Sequence, residues 1–225
     1  ISKGIEIIFK KTDSALRGNI GAELEAVADA AGEESLYFLP GYPEIHRITK
    51  NGIHYIDGEL LENSVFGKDP FEPVKRSYIP DIINEQSCIT VRCVQSGEKI
   101  SESRKEDSSI IVCDTVTTED IDKRLEELQE KKCLKFIAGC AGLAARLVWK
   151  LPFEKKDGQM FRQTKALYVA CGSLNKITEK QVEYAEKTGG FSRLRQACRF
   201  DLPDTFPSVP SPFHQGIPFA VFWVC

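Results

Sequence analysis

Between Ile7 and Gly32 the sequence reads IIFKKTDSALRGNIGAELEAVADAAG. An apolar run passes through a charged turn into an amphipathic stretch. The turn holds Lys10, Lys11, Asp13, Ser14, Arg17, Gly18 and Asn19, and these residue types suit the binding of an anion without identifying it. Arg17 offers a planar fork that can grip a carboxylate or phosphate through two N–H groups. Lys10 and Lys11 add point charges, and the alternation of a strand lets only one of them face a site. Gly18 allows a ligand to approach the backbone, and Asn19 can cap a helix or bond a hydroxyl. The free N–H groups and dipole of a helix start favour an anion. Asp13 is an acid in a basic nest. It can pair with Arg17 or a lysine, or accept a proton from a ligand hydroxyl. The alternative is a solvated turn closed by a salt bridge and a helix cap.

The elements around this turn alternate. Ile5–Lys11 reads as a strand. Ile20, Leu24, Val27, Ala28 and Ala31 then recur at helical spacing, and Gly32 suits a C-terminal cap. Ser35–Pro40, Cys88–Val94, Ser109–Asp114, LKFIAG and Lys165–Ser173 read as further strands. Thr117 with Asp120 makes a capping box before a helix whose apolar face is Ile121, Leu125 and Leu128. A second capping box is expected from Thr178 to Gln181. Within Arg47–Leu61, Asn51-Gly52 and Asp57-Gly58 are type I′ turn dipeptides, which predicts three short antiparallel strands. The expected fold class is α/β, a mostly parallel sheet with helices on both faces and an inserted antiparallel hairpin flap. Ligands of such sheets bind beyond the carboxyl ends of the strands, where the charged turn lies.

Composition narrows the partners. The 225 residues carry a net charge of -3 and are 42% hydrophobic, ordinary for a globular protein with a core. That balance argues against nucleic acid. No apolar run approaches the ~20 residues of a membrane span. Eight cysteines form no Cys-x-x-Cys pair, and His46, His54 and His214 lie far apart, so no metal site is expected. Without a signal peptide, the cytoplasm is the default. From Phe191 the periodic pattern stops, and the apolar run Ile217–Cys225 reads as an exposed, aggregation-prone end.

Other candidates are weaker. Gly139 and Gly142 stand between a strand and a helix, where they cradle a phosphate or permit tight packing. Gly172 and Ser173 end a strand before a helix, as a nucleotide contact or a plain turn. His46 and Arg47 precede the flap, either as its surface or closing over an anionic substrate. Asp114 ends a strand, either as a site residue or only as part of the helix start that follows.

Taken together, KKTDSALRGNIGAELEA resembles the hallmark of the four-carbon acid sugar kinase family, Lys-Lys-x-Asp-Ser-Thr-Leu-Arg-Gly-Asn. PGYPEIHRITKNGIHYIDGELL, KDPFEPVKRSYIPDII, CDTVTTEDIDKRLEEL, FIAGCAGLAARL and YVACGSLNKITEKQVEYA resemble later family segments in order, from about Gly4 to Gly190. The resemblance implies an enzyme with a sugar-acid-binding domain and an ATP-binding domain, Mg²⁺ neutralising phosphate charge. It implies that Arg17 and one of Lys10 and Lys11 take the substrate carboxylate, with Gly18 and Arg47 in the same site. Asp13, Ser14 and Asn19 bond hydroxyls, Asp13 orients or deprotonates the nucleophile, and Ser173 contacts the nucleotide. Ala15 departs from the family threonine. The expected domains are 1–163 for the sugar acid, lacking the family's first strand, 164–190 opening the nucleotide domain, and 191–225 a truncated or frame-disturbed tail. The expected partners are a small sugar acid and ATP, with room for a homo-oligomer.

Two other function classes compete. One is a non-catalytic module binding a small carboxylate or phosphate. The other is an isomerase or dehydrogenase on a similar scaffold. The latter lacks its glycine fingerprint, and the main cluster holds no placed His or Glu for proton transfer.

Overall fold

A computed structural model describes residues 7–32, 35–70, 72–101, 109–151, 167–171, 176–188, 191–195 and 219–223, with only the backbone at 167–171, 176, 191–195 and 219–223. The chain divides into two compact units, Ile1–Lys155 and Lys156–Cys225.

The first unit is built on five parallel strands. β1 (Ile8–Lys11), β2 (Leu36–Leu39), β6 (Thr90–Val94), β7 (Ser109–Cys113) and β8 (Phe136–Gly139) lie in the order β1-β8-β2-β7-β6. The pleat sorts their side chains onto two faces. Ile8, Leu36, Phe38, Ile110, Val112, Phe136 and Ala138 face one core. That core is covered by α1 (Ile20–Ala31) and α2 (Ile79–Asn84), through Ile20, Leu24, Ile79 and Ile83. Phe9, Tyr37, Leu39, Ile111 and Ile137 face the other, covered by α3 (Thr118–Glu130) and α4 (Ala141–Lys150), through Ile121, Leu125, Leu143 and Leu147. Burying each such Leu, Ile or Phe contributes about 1.5–3 kcal/mol, so the two-faced burial fixes the parallel register. The expected parallel sheet with helices on both faces is therefore what forms.

Local signals set the element ends. Thr117 and Asp120 close the expected capping box on α3, and Gly32 caps α1 at φ 75°. At the β8–α4 junction, a Cβ on Gly139 would meet the Leu39 carbonyl oxygen at 2.4 Å, and one on Gly142 would meet that of Gly41 at 2.9 Å. Those glycines serve close packing.

The flap is β3 (Arg47–Lys50), β4 (Ile53–Ile56) and β5 (Glu59–Leu60), paired antiparallel. Asn51 and Gly52 take φ 54° and 71°, and Asp57 and Gly58 take 52° and 85°, the positive angles a type I′ turn requires. The flap is seated on β7. Thr49 and Thr115 exchange backbone hydrogen bonds of 3.2 and 3.0 Å. The buried Asp114 carboxylate accepts the Asn51 and Gly52 N–H groups at 2.6 and 3.0 Å. Asp114 thus clamps a hairpin; it does not serve merely as part of a helix start.

In the second unit, β9 (Leu167–Cys171), β10 (Phe191–Arg195) and β11 (Phe219–Trp223) form a parallel sheet in the order β10-β11-β9. Two expectations change here. Phe219–Trp223, within the apolar run expected to form an exposed end, pairs its backbone on both sides as the central strand. α5 (Lys176–Thr188) begins ahead of Thr178, which therefore lies inside the first turn and not at the cap.

Replacing Asp114 by Ala leaves the part-buried Asn51 and the buried Gly52 amides without their acceptor. We expect a loss of about 2 kcal/mol in stability and faster hydrogen exchange at the Asn51 and Gly52 amides than in wild type. Unchanged exchange at both amides would show that the clamp does not hold the turn.

Candidate functional site

β1 ends at Lys11, and the charged turn follows at the carboxyl edge of the sheet. Its organiser is Asp13. One carboxylate oxygen accepts the Ala15 N–H at 3.1 Å, the Arg17 N–H at 3.4 Å and Arg17 Nε at 3.0 Å. The other accepts Arg17 Nη2 at 3.2 Å. Half-burial alone would raise the Asp13 pKa, but these N–H groups and the Arg17 charge outweigh it and hold the carboxyl below its ordinary range. Asp13 is therefore a poor proton acceptor near pH 7. The turn forces the buried Leu16 to φ 56°, a left-handed conformation costly for a large side chain.

Strand alternation separates the two lysines. Lys10 shares the face of α1 and pairs with Glu23 there at 2.6 Å. Lys11 is exposed and donates to the Thr12 carbonyl at 2.7 Å. Among the described residues it has no carboxylate partner. Among the described residues the buried Thr12 Oγ1 has no hydrogen-bond partner.

Arg47 comes from the first position of the flap, half-buried, and its Nη1 donates to Ser14 Oγ. Among the described residues it pairs with no carboxylate. His54, fully buried on β4, supports the same turn from behind. Its Nε2 lies 3.0 Å from the Ser14 carbonyl and its Nδ1 2.9 Å from Thr49 Oγ1. A carbonyl only accepts, so Nε2 carries the proton and Nδ1 accepts from Thr49. Burial pushes the His54 pKa down to about 4; the Ser14 carbonyl and Asp13 raise it, and Arg47 lowers it.

The helix start differs from expectation. Asn19 occupies the N-cap of α1 but makes no side-chain cap bond. Gln86 replaces it, its Oε1 accepting the Gly21 and Ala22 N–H groups at 2.9 and 3.4 Å. Those two amides are already satisfied and do not wait for an anion. Gly18, at φ 88°, and Asn19 border a cleft of about 320 Å³ with Arg17, Val74, Arg76 and Gln86.

Asp13, Ser14, Arg17 and Arg47 are thus gathered in one place. Lys10 is drawn off to α1, Gly18 and Asn19 face the neighbouring cleft, and Ser173 lies outside the described residues. Sequence reasoning passed over His54 and Gln86. Their bonds to the turn run across long sequence separations, with no local pattern to announce them.

The fold is a parallel α/β domain with an arginine-bearing flap beside the strand ends. Its residues 1–147 match the family described as Sugar-binding N-terminal domain, and the chain belongs to that family. It is 30% identical over 187 residues to a D-threonate kinase of Salmonella typhimurium, covering 80% of this chain and 43% of that protein. It is 28% identical over 192 residues to a 3-oxo-tetronate kinase of Actinobacillus succinogenes, covering 80% and 45%. Among solved structures it resembles a DUF1537 protein of Haemophilus influenzae, with a TM-score of 0.63 at 22% identity, covering 86% of this chain and 50% of that one. The chain spans about half the length of the curated relatives it matches.

The His54 assignment has a measurable consequence. Its folded pKa of about 4 lies below its ordinary 6.5, so the unfolded chain binds the extra proton between those values. The stability His54 contributes is full above about pH 6.5 and is lost as pH falls toward 4. NMR titration should show the His54 ring neutral down to about pH 4. A midpoint near 6.5 would refute the buried neutral ring.

Proposed function

We propose that this chain is the sugar-acid-binding part of a kinase that transfers the γ-phosphoryl group of ATP to the terminal hydroxyl of a four-carbon sugar acid such as threonate, erythronate or 3-oxo-tetronate. Membership of the sugar-binding family and the kinase relatives support the class of reaction. The observation that carries the substrate reading is Arg47. It is a half-buried guanidinium at the strand ends, held to a hydroxyl and to no carboxylate among the described residues. A substrate carboxylate supplies the anion it lacks.

The residues divide the work by their surroundings. Arg17 has its fork filled by Asp13, so Arg47 is the better carboxylate ligand, with the exposed Lys11 adding charge. Ser14 and Asn19 offer hydrogen bonds to substrate hydroxyls, and Gly18 leaves the backbone open to them. Asp13, held ionised, orients the reacting hydroxyl and does not take its proton. Among the described residues no group of three or more His, Cys, Asp or Glu is placed to hold a metal. ATP, Mg²⁺ and the Ser173 contact belong to the nucleotide side, which we assign to the unit Lys156–Cys225. Among the described residues no helix is long and apolar enough to cross a membrane. We place the enzyme in the cytoplasm on the family reading.

The test is calorimetric titration of the folded chain with D-threonate, D-erythronate and L-threonate. Loss of a charge-assisted bidentate contact in Arg47→Ala should weaken binding by about 30-fold, and Arg47→Lys should recover only part, since an ammonium lacks the fork. Equal affinity in wild type and Arg47→Ala would remove Arg47 from the site. Binding of inorganic phosphate with none of the acids would favour a phosphate-binding module.

A further inference from the structure

The ring of Phe66 touches both arginines of the turn. The guanidinium carbon of Arg17 stands 5.2 Å from its centroid and that of Arg47 stands 4.9 Å from it. Two cations so near one ring would ordinarily repel. Here the Asp13 carboxylate neutralises Arg17 through two side-chain hydrogen bonds, so the ring meets one net charge. The ring itself is anchored. The Phe66 N–H donates to Ser64 Oγ at 3.2 Å, and Ser64 Oγ donates to the Leu61 carbonyl at 2.7 Å. The Phe66 carbonyl accepts the Val74 N–H at 3.1 Å. The next residue is Gly67, where a Cβ would meet the Glu62 carbonyl oxygen at 1.9 Å. Phe66 also packs against the core beneath α1.

We infer that Phe66 is a positioning residue that holds the Arg47 guanidinium, beside the Asp13–Arg17 pair, in the geometry that receives the substrate carboxylate. This rests on the sugar-acid reading above. An arginine on a free surface loses rotamer freedom when it grips a ligand, and an aromatic face on which the guanidinium already lies reduces that loss. The attraction is electrostatic, between the cation and the negative face of the ring, so an aliphatic side chain of similar bulk does not replace it.

Two measurements on the full chain test this. The first records the arginine Nε–Hε resonances of wild type, Phe66→Leu and Phe66→Tyr. Ring-current shifts of the Arg17 and Arg47 signals should be present in wild type, absent in the Leu variant and restored in the Tyr variant. The second titrates the same proteins with D-threonate. Affinity should fall about tenfold in Phe66→Leu, the loss of a desolvated cation–π contact, and return in Phe66→Tyr. Absence of ring-current shifts in wild type overturns the inference whatever the Leu variant does to folding. So does a folded Phe66→Leu protein that binds D-threonate as wild type does, which leaves the sugar-acid reading standing. Shifts present in wild type with no binding of any four-carbon acid would overturn that reading and, with it, the role given to Phe66.

Discussion

Two residues beyond β1, the Asp13 carboxylate collects two backbone N–H groups and two guanidinium N–H groups within four residues of chain. Without this acceptor the Ala15 amide would lose its partner in a half-buried place, and Leu16 would have no reason to keep its left-handed conformation. Much of the site follows from that closure. With its fork filled, Arg17 becomes part of the scaffold. Under the proposed sugar-acid reading, the charge that meets the anionic substrate then comes from elsewhere in the chain, and Arg47 brings it.

That delivery depends on the flap being fixed. Ser14 is gripped at two atoms from the flap, its hydroxyl by Arg47 and its carbonyl by His54. The flap is in turn tied to the sheet by Asp114 and Thr115 at the end of β7. Thr49, His54, Asp114 and Thr115 are all buried polar residues, and each has its partner. A satisfied buried network of this kind specifies one arrangement. The flap is accordingly a wall of the site.

How much of this could be read from the sequence depended on the distance over which each interaction acts. The Asn51-Gly52 and Asp57-Gly58 turns, the Thr117–Asp120 capping box and the Asp13–Arg17 pair are short-range, and all were readable. So was the parallel sheet, because burial on both faces leaves continuous apolar strands. Of the two roles open to Asn19 in the sequence, the structure does not show the cap of α1. Asn19 has the right chemistry at the right position, but Gln86 reaches in from beyond α2 and takes the amides first. His54 looked like one of three scattered histidines, since nothing in a hairpin's local pattern says which ring is buried against a distant carbonyl. Nothing in the local sequence singles out Phe66. Nor does the apolar run at Phe219–Trp223 announce a central strand, which has no meaning until its neighbours are known.

The strand order carries a consequence for how the chain comes together. β1 leads the described sequence, yet its partner in the sheet, β8, lies near the far end of the same unit, with Ile8 opposite Phe136. The flap likewise waits for β7 before Thr49 can meet Thr115. On a chain emerging from the ribosome, the charged turn after β1 would be made well before β8, the strand that secures it. Its lysines, arginine and aspartate keep that waiting segment hydrated, and a ligand-competent turn would appear only once nearly the whole unit had been synthesised.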